Sequence, residues 1–366
     1  MHTENVLTAD QAKFAIPSEC RTARFYILPK IHKCGVSGRH VCSCSSSLTE
    51  NISSIVDWFV KPLLPAVPSY IKDTNEFLRK LRGLGQLPPN ALLVTLDVVA
   101  LYPSIPHDGG LDALTSFLHE NHFSNVVTRG IVDLARFVLT RNYFEFDGQL
   151  YLQKSGTAIG TVMAVVYSVI YMYKFAVDAI AARPLKPFVW WRFIDDIFAV
   201  WTHGETELLR FVAHLNSVNP CIKFTLHYSP ASVNFLDVCV SSDQNGVVST
   251  DLHVKSTDTH QFLHSNSCHP NHTKKGIAYA QALRIKRICS EPDRAKLRCS
   301  QLEDYLVLRG HSRKRVRSSI NRALTADVAS NFTSIRVLSP VFLLAAHSVY
   351  FVAKERTVTL SMLYIV

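Results

Sequence analysis

The sequence predicts an α+β fold in which short strands and buried helices bring acidic side chains together at strand ends. Three stretches carry that expectation. In FVWWRFIDDIFAVW, residues 188–201, aromatic and β-branched residues flank Asp195 and Asp196 with no Gly or Pro between. This reads as two strands meeting in a tight hairpin turn. Residues 91–96 form a short apolar, partly β-branched run with Asp97 at its end and Pro103 and Pro106 just beyond, as a buried strand running into a turn would. In QKSGTAIGT, residues 153–161, two glycines precede an apolar stretch reaching about Ile180, with no further Gly or Pro before Pro184. That stretch is apolar nearly all round, so a buried helix is expected.

The charges then set the chemistry. Carboxylates beside so much apolar surface are costly unless a cation neutralises them. A hard divalent ion, Mg²⁺ or Mn²⁺, takes carboxylate oxygens and leaves room for phosphates. An isolated Asp-Asp is commonly just an acidic turn, and a glycine turn before a helix is as often structural as ligand-binding. The combination is more informative. One carboxylate at a strand end and two in a hairpin turn can converge on two ions roughly 3.5–4 Å apart, the arrangement that serves phosphoryl transfer. A helix is expected from about 107 to 119, with Asp108 near its N-terminus.

The order Asp strand, glycine turn and helix, Asp-Asp hairpin resembles the palm of reverse transcriptases. Further segments extend the likeness: FYILPKIHK (25–33), TLDVVALYPSIP (95–106), NYFEFDG (142–148), RFIDD (192–196), IKFT (222–225), NFLDV (234–238), KSTDTHQFLH (255–264), SCHPNHTKKG (267–276) and QALRIKRICS (281–290). Together they resemble the Penelope-like retroelement reverse transcriptases, relatives of telomerase, over about residues 24–322. The resemblance implies a right-hand polymerase: a fingers remnant over 1–90, a palm over 91–245 and a basic helical thumb over 250–325. The hydrophobic tail, 326–366, stays unassigned. The implied activity is RNA-directed DNA polymerisation for a retrotransposon. Its partners would be an RNA template, a DNA primer and deoxynucleoside triphosphates, and its metal Mg²⁺, with Mn²⁺ as a substitute.

Composition agrees with a nucleic-acid partner. The 366-residue chain is 48% hydrophobic and 19% charged, which suits a folded protein with a large core. Its net charge is +10, and residues 274–322 hold fourteen Lys/Arg against four Asp/Glu, so the excess lies in one segment. A localised basic surface is the footprint of phosphate-backbone binding. The alternatives are a solvated helical face or, at Arg313-Lys314-Arg315, a nuclear-import patch. Nine cysteines without a signal-peptide pattern suggest free thiols in a reducing compartment, nucleus and cytoplasm. Zinc among Cys34, Cys42 and Cys44, or among His264, Cys268, His269 and His272, lacks the usual pair-of-pairs spacing. The uncharged run 337–353 is at the short limit for a spanning helix and contains Pro340, so no stable membrane association is expected.

The resemblance also implies roles. Asp97, Asp195 and Asp196 would be the catalytic, metal-holding carboxylates. Val98, Tyr102, Gln153 and Gly156 would line the nucleotide pocket, Tyr102 excluding a ribose 2′-hydroxyl, with core packing as the alternative. Lys30 and Arg39 would meet the triphosphate. Lys223 would be a general acid for pyrophosphate, or otherwise a solvated strand lysine. Phe235, Leu236 and Asp237 match the primer-grip hairpin. Lys255, Lys274, Lys275, Arg284, Arg287, Arg313, Lys314 and Arg315 would contact nucleic acid, and Asp258, His264, His269, Pro270 and His272 complete the thumb motif. The chain departs from the family at His40 and Val41, where Pro-Ile is usual, at Ile159 for Met and at Val165 for Pro. Few residues precede the first motif, and no Gly-Ile-Tyr/Tyr-Ile-Gly endonuclease follows the thumb. A truncated element is therefore expected, and the alternative function is a catalytically inactive nucleic-acid-binding remnant.

Overall fold

A computed structural model of the chain describes residues 6–29 and 38–326. The elements run α1 (Ala9–Ala15), β1 (Ala23–Pro29), β2 (Gly38–Ser43), α2 (Glu50–Val60), a 3-10 segment (Lys61–Ala66), α3 (Thr74–Arg82), β3 (Leu92–Val98), α4 (Leu101–Ser104), α5 (His107–Glu120) and α6 (Asn125–Thr140). They continue with β4 (Tyr143–Phe146), β5 (Gln149–Leu152), α7 (Ala164–Ala181), β6 (Val189–Phe193), β7 (Asp196–Trp201), α8 (Gly204–Val218), β8 (Phe224–Ser229), β9 (Ser232–Phe235), β10 (Val238–Ser242) and β11 (Val248–Leu252). Three helices close the described chain: α9 (Asn271–Ile288), α10 (Pro292–Leu308) and α11 (Arg313–Thr325). The expected strand, both expected helices and the Asp-Asp hairpin are β3, α5, α7 and β6–β7.

The described residues form two compact units: 6–262 with 288–301, and 263–287 with 302–326. At the centre of the first unit is an antiparallel four-stranded sheet in the order β6-β7-β3-β8. Side chains alternate across a strand, and both faces of this sheet are covered. Val94, Leu96, Val98, Ile197, Ala199 and Trp201 belong to a core shared with α2, α5, α6 and α7. Leu93, Phe198 and Val200 point into a second core with Phe77, Phe235 and Val238. Two-sided burial explains why β7 reads as an unbroken apolar run after its aspartate. α7 is long and apolar enough to cross a membrane by composition, but more than half of its apolar window is buried inside the unit.

Two pairings cross the expected boundaries. Strands β4 and β5, expected within the palm, extend the N-terminal sheet, whose order is β2-β1-β4-β5. Parallel pairing of Ala23 with Phe144, and contacts of the Phe25 ring with Phe144 and Phe146 at 5.3 Å each, hold them there. At the other end, β11 pairs with β10, and Asp251 accepts two bonds from Arg298, at 2.8 and 3.2 Å. Residues 250–262 therefore belong to the first unit rather than to the terminal helices. The tail expected at 326–366 lies outside the described residues beyond Ala326.

Phe198 is fully buried, and its ring lies 5.1 Å from Phe77, 5.7 Å from Phe235 and 6.0 Å from Trp191. Phe198→Ala should lower the unfolding free energy by about 3–5 kcal/mol, the usual cost of an aromatic cavity. Urea denaturation followed by far-UV circular dichroism measures it; a loss under about 1 kcal/mol would show that the two faces do not share this strand as described.

Candidate active site

Asp97 is the last residue but one of β3, and its register partner across the sheet is Asp196, the first residue of β7. Directly opposed residues of an antiparallel pair stand with Cα atoms about 4.5–5.5 Å apart and side chains on the same face. Asp195 occupies the second position of the two-residue β6–β7 turn, and its carbonyl accepts the Val98 N–H at 3.0 Å. All three aspartates are half-buried. Burial raises the Asp196 carboxyl to about 6, the charges of Asp195 and Asp97 add to the rise, and Lys255 opposes it. The three carboxyls thus act on one another.

These residues suit a divalent cation by donor chemistry: oxygen ligands only, with mutual repulsion that a cation would relieve. The side chains as they stand are not a closed cage. Among the described residues no group of three or more His, Cys, Asp or Glu side chains is close enough together to hold an ion. The backbone places Asp97 and Asp196 side by side. Of the zinc sets considered from sequence, Cys34 lies outside the described residues; His264, Cys268, His269 and His272 lie within them and do not stand close enough together to hold an ion.

The glycine turn approaches the same place. Gly156 has φ +72°, and a Cβ there would lie 2.5 Å from the backbone of Pro103. A side chain is excluded both by conformation and by space. The turn is tied to α4 by the Thr157 N–H on the Tyr102 carbonyl at 2.8 Å. Burial pushes the Tyr102 phenol up, with Asp195 the next cause, while a bond to Ser168 and the charge of Arg39 oppose the rise. Tyr102 therefore stands among Asp195, Ser168 and Arg39. The Gln153 side chain donates to the Ser155 carbonyl at 2.9 Å and accepts from Asn142 at 2.8 Å, which fixes its amide.

A cavity of about 140 Å³ adjoins the carboxylates, lined among others by Thr95, Asp97, Asp196, Thr225, His227 and Asn234. Sequence reasoning missed Thr225, His227 and Asn234. Thr225 and His227 face Asp97 and Thr95 in the β3–β8 register, and the two-residue polar alternation of IKFTLHYS was the available signal.

Other expected residues go elsewhere. Lys30 lies outside the described residues. The Lys223 ammonium donates to the carbonyls of Asn216 at 2.5 Å and Asn219 at 3.3 Å, capping α8. Lys255 belongs to the first unit, where its charge acts on Asp196, and not to the terminal helices. In the second unit Arg313 and Arg317 both bind the buried Glu303, at 2.7 and 2.8 Å, and Arg313 also reaches Asp304 at 3.1 Å. Lys274 holds the Ser267 carbonyl at 2.8 Å, and Lys286 the Leu324 and Ala326 carbonyls at 2.6 and 2.7 Å. Arg287 is half-buried, and Arg284 is exposed beside Gln281. Lys275, Lys314 and Arg315 are exposed. His264 and Ser265 pack against Gly310, and His311 bonds the Leu263 carbonyl at 2.8 Å, so part of the His-rich motif shapes this loop.

The Asp196 shift has a stability consequence. Its folded pKa, about 6, exceeds the ordinary 3.8, so the folded state favours the proton. The contribution to stability is greatest below pH 4 and falls as pH rises to about 6. In EDTA at pH 7.5, Asp196→Asn should raise unfolding stability by roughly 1–2 kcal/mol after solvent screening. The gain should vanish at pH 4. A destabilised variant in thermal denaturation at pH 7.5 would contradict the repulsion described.

Comparison with known proteins places this geometry. A family model described as an animal helix-turn-helix domain matches residues 261–321, a minor part of the chain that spans α9, α10 and most of α11. No curated protein matches the sequence. Among solved structures, a telomerase from Candida albicans in complex with a fragment of telomeric RNA is similar with TM-score 0.55 at 12% identity, over 90% of this chain and 60% of that one. The RNA-dependent RNA polymerase of a human picobirnavirus gives TM-score 0.54 at 11% identity, over 82% and 58%. That of BmCPV at its elongation state gives 0.51 at 11%, over 83% and 26%. The chain thus spans less than two thirds of each of these chains. At such identities the likeness establishes the fold, which is that of the right-hand nucleic-acid polymerases.

Proposed function

We propose that the protein is an RNA-directed DNA polymerase of the Penelope-like retroelement group, extending a DNA primer on an RNA template. The observation that carries the reading is the pairing of Asp97 with Asp196, with Asp195 in the adjoining turn, on a right-hand polymerase fold. In the reaction the primer 3′-hydroxyl oxygen gives up its proton to solvent and bonds the α-phosphorus of the incoming triphosphate, and the bond to the bridging oxygen breaks, so that pyrophosphate leaves. Two divalent ions, when bound, would neutralise charge on the attacking and leaving oxygens. Asp97 and Asp195 would hold them, with Asp196 alongside. Tyr102 would limit the space beside the sugar, Gln153 and Gly156 would border the nucleotide, and Arg39 would meet its phosphates. Purified protein should extend a DNA primer on an RNA template with Mg²⁺. Asp195→Asn should abolish extension while duplex affinity changes less than about twofold, since the amide keeps the shape but not the charge. Activity within a few-fold of the unsubstituted chain rules out this role. Duplex binding without extension in the unsubstituted chain would mark the inactive nucleic-acid-binding remnant instead.

The basic helical segment would grip the template–primer duplex, and the structure divides its cations by duty. Arg313 and Arg317 are engaged by Glu303, whereas Lys314 and Arg315 project from α11 into solvent. The double substitution Lys314→Glu with Arg315→Glu should weaken binding of all duplex sequences alike. It should also flatten the logarithmic salt dependence of affinity by about 0.9 for each duplex-DNA phosphate no longer neutralised. An unchanged slope would mean that the duplex is gripped elsewhere and leave this run as a solvated face or an import patch.

A further inference from the structure

Among the described residues only Arg192 and Glu303 are charged and buried, and they are managed differently. Glu303 has two arginine partners. Arg192 is completely inaccessible, and no carboxylate among the described residues lies within ion-pairing distance of it. Its guanidinium donates from Nη1 to the Ile194 carbonyl at 2.9 Å and from Nη2 to the Val169 carbonyl, within α7, at 2.7 Å. Nε has no partner. Its backbone is fixed too, with its N–H on the Ser69 carbonyl at 2.7 Å and its carbonyl receiving the Ile71 N–H at 2.8 Å. A buried cation without an ion-paired carboxylate is expensive, and only the more distant charges of Tyr70 and Asp195 favour it. A core with only a packing requirement at this position would be served better by an apolar residue.

The carbonyl it holds belongs to a residue with unusual backbone. Ile194 has φ +53°, in the left-handed region. For a β-branched residue this is a genuine outlier and a strained conformation. It is the first residue of the two-residue turn, and Asp195 is the second. A planar fork with two separated donors can span a helix carbonyl and a turn carbonyl together; an ammonium cannot do so with the same geometry. We propose that Arg192 is a positioning residue: its guanidinium braces the strained Ile194 turn against α7 and thereby sets the Asp195 carboxylate for a divalent cation. This rests on the metal-holding role given to Asp195 above. The strain at Ile194 and the charge at Arg192 are then two halves of one device, and glycine at 194 should make the brace dispensable.

The test uses the full chain and Mn²⁺ alone, with free Mn²⁺ read by electron paramagnetic resonance and amide exchange of residues 193–197 read by mass spectrometry. Arg192→Lys keeps charge and bulk, so it should weaken Mn²⁺ binding at least tenfold and speed exchange in the turn, with little change in duplex affinity. Adding Ile194→Gly to Arg192→Lys should restore most of the Mn²⁺ affinity, which a merely structural loss in the core would not allow. Arg192→Lys with unchanged Mn²⁺ affinity, or a double variant no better than the single one, overturns the inference. If Arg192→Lys does not fold, the double variant is compared with Ile194→Gly alone: equal Mn²⁺ affinities support the brace, and a tenfold difference refutes it. Failure of the unsubstituted chain to bind Mn²⁺ refutes the metal-site reading itself, and the brace with it. Binding without primer extension refutes only the proposed polymerase activity.

Discussion

Like charges directly opposite one another on neighbouring strands destabilise a sheet, yet β3 and β7 place Asp97 against Asp196 with Asp195 one residue away. Much of the first unit serves to keep that unfavourable pairing in place. Two apolar cores grip the sheet from both faces through alternate residues of the same strands. Repulsion that would otherwise open the strand ends is therefore opposed by burial along their whole length. Burial first, and the neighbouring charges of Asp195 and Asp97 after it, push the Asp196 carboxyl up. Sites that sacrifice stability for a charge constellation are where function is usually found.

The parts legible in the sequence are those whose pattern is local. Residues 188–201 announce the hairpin because aromatic and β-branched residues bracket the two aspartates. The helix after Thr161 is visible from its unbroken apolar run, and it forms as Ala164–Ala181. Gly156 is marked by type, but its reason, a backbone approach to Pro103 that leaves no room for Cβ, needs the fold. What stays hidden is non-local. Nothing in NYFEFDG says that this strand pairs in parallel with Ala23 and Arg24 and completes the N-terminal sheet. Lys223 looks like any strand lysine until the end of α8 arrives beneath it.

Charge counting locates the whole positive excess in residues 274–322 but cannot separate cations that build the helical unit from those that face outward. Glu303 makes the separation, because a buried carboxylate must be paired and it takes Arg313 and Arg317 for itself. Lys286 ends α11 by holding its last carbonyls, where a cation also complements the helix dipole. Fewer of these cations are therefore without a structural duty than the composition suggests; Lys275, Lys314 and Arg315 are among the exposed ones. The same division of labour applies to buried charge in the first unit. In the sequence Arg192 is only one letter of RFIDD; that its guanidinium donates to the Ile194 and Val169 carbonyls is visible only in the fold.

The central claim is that the carboxylates of β3 and the β6–β7 turn form one metal-binding centre. Crystals grown with Mn²⁺ and measured at its absorption edge test this without reference to any activity. The account predicts anomalous peaks within about 2.0–2.3 Å of oxygens from Asp97 and from Asp195 or Asp196, the bond lengths of small oxygen-ligated divalent ions. Peaks confined to other parts of the chain, or a map in which Asp97 and the hairpin share no ion, would contradict it.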